Sequence, residues 1–158
     1  MNVIDIKYLA DQINLKTFNK FKTIVKDETI VAGKKIQTEV KKVYANSRLY
    51  GIKGLADSTK KRKKMNKTRP LIETARLLRS ISVSKIKESN QTQTDASFEL
   101  MVYPQGMHYR GKKNKDIAEI HERGTSTIPA RKVWGVVKQQ KLPKIINETI
   151  IRIAKKIK

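Results

Sequence analysis

Only two histidines, His108 and His121, stand in this chain, 13 residues apart. Acid–base work or metal ligation at helical spacing would need partners three or four residues away, and neither histidine has the His-x-x-x-His or Glu-x-x-His arrangement. Asp116, Glu119 and Glu122 recur at helical spacing, but carboxylates on so short and polar a segment are ordinarily there for solubility. There is no G-x-S-x-G elbow, no phosphate-cradling glycine loop and no acidic cluster suited to magnesium. With no cysteine, thiolate nucleophiles, zinc–thiolate sites, iron–sulfur clusters and disulfides are excluded. The sequence therefore predicts no enzyme, no cofactor and no metal, and an enzyme is the weakest of the readings it allows.

What the chain has in quantity is positive charge. Its 158 residues carry 36 Lys and Arg against 14 Asp and Glu, a net +22. The excess is uneven. Residues 1–56 hold +6, 57–69 another +6, 105–124 hold +2 and 125–158 hold +8, while 70–104 are neutral. A neutral centre with crowded flanks predicts a folded unit surrounded by basic extensions that face something anionic or form a rim. The densest run is Lys60, Lys61, Arg62, Lys63 and Lys64, followed by Lys67 and Arg69. Between Asp57 and Arg69 only Met65 is apolar, which predicts a basic loop over 57–69. Two readings of it stand level: salt-dependent phosphate contact, or a solvated connector. A second basic loop is expected over 105–116, where Gly106 and Gly111 punctuate Arg110, Lys112 and Lys113. The modules that read bases are missing, so contact with DNA would be to phosphates alone.

The elements that must carry these groups follow from periodicity. Hydrophobic residues make up 38% of the chain, enough for one modest core and a single domain over 1–158. No apolar run approaches the length of a membrane span, and Asp5 and Lys7 interrupt the first residues, so a protein of a reducing intracellular compartment is expected, with residues 1–13 as an extended arm. From Leu15 to about Asn46, Phe18, Phe21, Val25, Ala32, Ile36, Val40 and Val43 recur at spacings of mostly three or four, the pattern of a long amphipathic helix. Gly33 inside it costs about 1 kcal/mol relative to Ala and marks a place for a kink. A short helix is expected over 70–78, opened by Pro70. Residues 80–84 and 98–103 alternate as two strands of an antiparallel hairpin, joined by a polar turn over 88–95. Asp116 is placed as the cap of another short helix, stopped by Gly124. Residues 133–137 read as a third strand, and Pro143 opens a last helix with Leu142, Ile145, Ile146, Thr149, Ile150, Ile153 and Ile157 on one stripe. The class is α+β: a small antiparallel sheet covered by a long N-terminal helix and a C-terminal helix.

Three segments, taken in order, carry a resemblance. They are Leu71-Ile72-Glu73-Thr74-Ala75-Arg76-Leu77-Leu78-Arg79-Ser80-Ile81, Ile117-Ala118-Glu119-Ile120-His121-Glu122-Arg123-Gly124, and Ile128-Pro129-Ala130-Arg131-Lys132-Val133-Trp134-Gly135. Together they resemble the virion-morphogenesis and tail-completion proteins of tailed bacteriophages. That pattern runs roughly L-x-x-T/S-G-x-L-x-x-S-I, then Y-A-x-I-H-E-x-G, then I-P-A-R-P-F-L-G, closed by a helix. Here Ala75 replaces Gly, Ile117 replaces Tyr, and Lys132-Val133 replace Pro-Phe. The resemblance covers about half the chain, leaving aside the long basic first helix and the run from Lys60 to Arg69. It implies a structural protein made in the host cytoplasm and located in the virion neck. There it would form a closed homo-oligomeric ring, six- or twelve-fold being left open, between portal or head-connector proteins and tail proteins, with no membrane partner. Gly124 then serves as a helix stop, Pro129 stiffens a turn, Arg131 can donate a paired hydrogen bond, and His121 and Trp134 act as fold or interface anchors. A basic protein that holds DNA by phosphates is the alternative, and a neck ring touching the genome would combine the two.

Overall fold

A computed structural model of the chain describes residues 15–52, 54–55, 57–62, 75–92, 95–108 and 111–157. The long periodic stripe becomes helix α1, Leu15–Ala45. Phe18, Phe21, Val25, Val40 and Val43 are buried along it, and Ala32 and Ile36 are half-buried. The helix runs through Gly33 without interruption. A Cβ there would fall inside contact range of the Leu100 and Val83 side chains, so the missing side chain is what lets α1 lie close to the strands. After α1 a tight turn, Ser47–Tyr50, ends at Gly51 in the left-handed conformation (φ 68°).

Helix α2 is Asp57–Arg62 and helix α3 is Arg76–Ser80. The expected basic loop over 57–69 is thus helical in its first six residues. Asp57 in the first turn and Lys60, Lys61 and Arg62 in the last match the helix dipole, and Lys60 Nζ meets Asp57 Oδ1 at 2.7 Å. Residues 63–69 lie outside the described residues, as do the arm over 1–13 and residues 70–74 of the expected helix at Pro70.

The strands are β1, Ile81–Val83; β2, Lys87–Thr92; β3, Asp95–Glu99; and β4, Val102–Pro104. Two antiparallel ladders form, β1 with β4 and β2 with β3. The polar turn expected over 88–95 is instead mostly strand: Glu88 pairs with Phe98 and Ser89 with Ser97, and one long hairpin results. Its two ladders are out of step, because residues 84–86 face only residues 100–101. Ser84 fills the break. Its N–H donates to the Met101 carbonyl at 2.8 Å, and its Oγ accepts from the Met101 N–H at 2.9 Å. A bulge of this kind bends a ribbon, and here it lets one hairpin follow the long helix. Polar residues could not announce these strands: Lys87, Glu88, Ser89 and Glu99 are exposed, and Ser97 and Phe98 only half-buried.

Helix α4 is Asn114–Arg123. It starts two residues before the expected Asp116 cap, which takes residues 114–116 out of the basic loop. The buried Asn114 anchors the start by donating Nδ2 to the Gln105 carbonyl at 2.6 Å. The largest departure is at residues 133–137, expected as a strand. Helix α5, Val133–Val136, runs through a widened turn, Val137–Lys141, into helix α6, Leu142–Ile157. In that turn the Leu142 N–H reaches back five residues to the Val137 carbonyl. Pro143 explains it: proline has no N–H to offer and its ring crowds the carbonyl four residues before, so one wider turn ahead of it keeps the helix intact. The four apolar residues around Gly135 are helix-face residues whose short run looked like a strand.

Helix α6 packs on α1, and α1 packs in turn on β1, β3 and β4. The fold is α+β, with a long N-terminal helix, a C-terminal helix and two small antiparallel ladders. One core cluster joins Val40, Val43, Tyr44, Ile52, Leu77, Ile81, Ala118, Val133 and Val137; a second joins Phe21, Val25 and Ile153. Full burial of side chains such as Val40, Val43 and Val133 contributes about 1.5–3 kcal/mol each. The stripe of the last helix is narrower than expected. Ile145, Thr149 and Ile153 are buried, whereas Ile150 and Ile157 stay about half exposed.

Candidate interaction site

The three sequence segments meet at one knot between α3, α4 and α5. Leu77 and Ile81 from the first, Ala118 from the second and Val133 from the third share the larger core cluster with α1. Each segment contributes a local device that fixes its geometry. Ala75 stands at the start of α3 with φ 58°, the only non-glycine residue at positive φ among the described residues, and its carbonyl accepts from the Arg79 N–H at 2.9 Å. A left-handed backbone suits glycine and strains alanine.

Gly124 stops α4 at φ 75°, with its N–H donating to the Ile120 carbonyl at 2.8 Å. A Cβ on it would lie 2.6 Å from the Ala130 nitrogen and 2.7 Å from the Ile128 oxygen, both backbone atoms with no room to retreat. The loop after it is tied by Thr125: its Oγ1 accepts from the Ile128 N–H at 3.0 Å, and its N–H donates to the Ile128 carbonyl at 2.7 Å. Pro129, half-buried, leads out of that loop. Arg131 then returns to α4, donating its backbone N–H to the His121 carbonyl at 2.6 Å.

Arg131 points inward. It is buried, its Nη2 lies 3.4 Å from the Gly54 carbonyl, and burial pulls its pKa below the ordinary guanidinium value. His121 is half-buried beside it, and Trp134 packs against the larger core cluster. His121, Gly124, Pro129, Arg131 and Trp134 are therefore brought together, as parts of the fold's interior joint.

The residue that sequence reasoning missed is Glu122. Its two carboxylate oxygens accept from the first free N–H groups of α5, Trp134 at 3.0 Å and Gly135 at 2.8 Å. A carboxylate there satisfies donors that have no partner inside the helix and complements the helix dipole. Among the three acidic residues of α4, Glu119 does serve the surface, pairing with Arg123 at 2.8 Å. No spacing rule could single out Glu122, because the helix it caps reads as a strand. Tyr44 of α1 closes the joint; burial pushes its phenol well above the ordinary value, the neighbouring Trp134 side chain offsets part of this, and the Glu122 charge adds to it.

The basic residues are dispersed. Lys61 and Arg62 are exposed on α2, and Lys112 and Lys113 are exposed before α4. Lys63, Lys64, Lys67 and Arg110 lie outside the described residues. Among the described residues no group of three His, Cys, Asp or Glu could hold a metal ion, and no helix is long and apolar enough to cross a membrane.

A second polar centre, also missed, lies between α1 and α6. Glu28, 3% exposed, sits on the buried stripe of α1 and pairs with Arg152 Nε at 2.6 Å and Lys156 Nζ at 2.8 Å. Arg152 also donates to Thr149 Oγ1 at 3.1 Å. Hydrogen bonds from Lys156 and then Arg152 hold the carboxyl below the usual carboxylate range. The signal was present: Glu28 follows Val25 by three, in register with the apolar stripe.

The chain matches no family model, no curated protein and no solved structure.

Proposed function

We propose that the protein is a structural component of the neck of a tailed-phage virion, a tail-completion subunit that forms a closed ring with its own copies between the head connector and the tail. What carries the reading is the convergence of the three motif-bearing segments: Leu77, Ile81, Ala118 and Val133, far apart in the chain, share one core cluster. The departure at Ala75 belongs to the same support, since the residue standing where the tail-completion pattern has glycine holds a left-handed backbone.

A ring subunit needs a rigid joint inside and two different, mutually complementary patches outside, joined head to tail around a rotation axis. The joint between α3, α4 and α5 is rigid in this sense, with its polar groups turned to backbone caps. Apolar side chains remain for contacts between copies: Leu49 is 83% exposed and Ile150 49%. The exposed lysines of α2 and of the turn before α4 would then face connector, tail or passing DNA. Such a protein acts by being held in place, without turnover.

The test is the mass of the purified protein in solution, alone and mixed with its connector. Ring-sized assemblies are expected. A chain that stays monomeric with connector and tail proteins present, and is missing from purified virions, defeats the proposal. The net charge of +22 favours a second reading, phosphate binding to DNA. It requires affinity that falls steeply with salt and that is lost when Lys60, Lys61, Arg62, Lys63 and Lys64 are neutralised together.

A further inference from the structure

Helix α1 and the widened turn before α6 enclose a groove of about 570 Å³ that none of the motif segments touches. Its walls carry five lysines, from α1 Lys34, Lys35 and Lys42, and from the other side Lys141 and Lys144, against two glutamates, Glu39 and Glu148. Both glutamates are already engaged: Lys42 meets Glu39 at 2.7 Å and Lys35 meets Glu148 at 2.9 Å. Lys141 stands 5.5 Å from the centre of the Tyr50 ring. Among the described residues Lys34, Lys141 and Lys144 make no ion pair at contact distance, although Lys144 adds its field to that of Lys35 at Glu148, so the lysines outnumber the carboxylates on both walls.

The floor is of a different kind. Val31, 39% exposed, and the edge of Ile145 line it. An apolar floor between cationic walls does not suit a phosphate backbone, which gains nothing from Val31 or Ile145. It suits a segment that offers an apolar side chain flanked by carboxylates.

We propose that this groove is a docking site for an acidic amphipathic segment of a partner protein. An apolar residue of that segment lies over Val31 and Ile145, and carboxylates on either side meet Lys34 and Lys144. The site does not depend on ring formation, since every residue in it comes from one subunit.

The experiment titrates the full-length protein with three fluorescent probes: a short synthetic helix-forming peptide with glutamates and one leucine face, a polyglutamate of the same length and charge, and a short duplex DNA. The leucine-bearing peptide is expected to bind tightest. Changing Lys34→Gln together with Lys144→Gln should weaken it about tenfold, and Val31→Ser severalfold, whereas Lys85→Gln with Lys87→Gln, an equal loss of charge on the hairpin, should leave it unchanged. All these positions are exposed, so the variants keep the fold. The proposal is overturned if polyglutamate or DNA binds as tightly as the leucine-bearing peptide, or if the groove variants lose no more affinity than the Lys85 and Lys87 control.

Discussion

Two regions of this molecule hold helices together in opposite ways. At the joint of α3, α4 and α5 the polar groups bond to backbone: Glu122 to two helix N–H groups, Thr125 to its own loop, Arg131 to the His121 carbonyl. Between α1 and α6 charge meets charge, with Glu28 between Arg152 and Lys156 and Lys35 against Glu148. Backbone caps fix position through directional hydrogen bonds. Ion pairs tolerate small shifts of one helix on another and respond to salt and acid. One region thus reads as the scaffold and the other as the adjustable face.

The contrast breaks most sharply at Gly124. Gly124→Ala forces a side chain into backbone at 2.6 Å and strains a positive φ, and should cost about 3 kcal/mol in urea unfolding. Next comes Glu122→Ala, which leaves two helix N–H groups without their acceptor and should cost about 2 kcal/mol in the same unfolding measurement.

On the other side, Glu28→Gln should cost about 1–2 kcal/mol at neutral pH, because two cations lose their charged partner while remaining partly in water. Its pH dependence is the sharper test. The folded pKa of Glu28 is lowered, so its contribution is complete above the ordinary glutamate value of about 4.3 and disappears as pH falls through the lower folded value. The gap between the parent protein and Glu28→Gln should therefore close on acidification, whereas the gap for Gly124→Ala should persist. The smallest effect has the opposite sign: Ala75→Gly should stabilise by about 0.5–1 kcal/mol by relieving the left-handed backbone, measured by the same unfolding curves.

The same two regions differ in how much the sequence could tell. The stripe of α1 was legible because its apolar residues, from Phe18 to Val43, repeat over about seven turns, and Gly124 because a glycine after a periodic run marks a helix end. The joint as a whole was half legible. Its residues could be named from the resemblance, but Glu122 could not, since a cap is recognised only when its helix start is known. That start was hidden by the short apolar run at 133–137 and by Pro143, which marks a helix opening more often than a widened turn inside one. The α1–α6 face was legible only in Glu28, whose place on the apolar stripe is a conflict that a buried partner must resolve. The cationic groove was not legible at all, because it joins α1 lysines to lysines more than 90 positions later in the chain.

The central claim is that the scaffold half of this molecule exists to be repeated around an axis. Imaging purified virions at subunit resolution tests it most directly. Copies of this fold should appear as a closed ring at the head–tail junction, with the Glu122 joint inside each subunit. A neck built entirely from other chains, with this one absent from the particle, would contradict the claim.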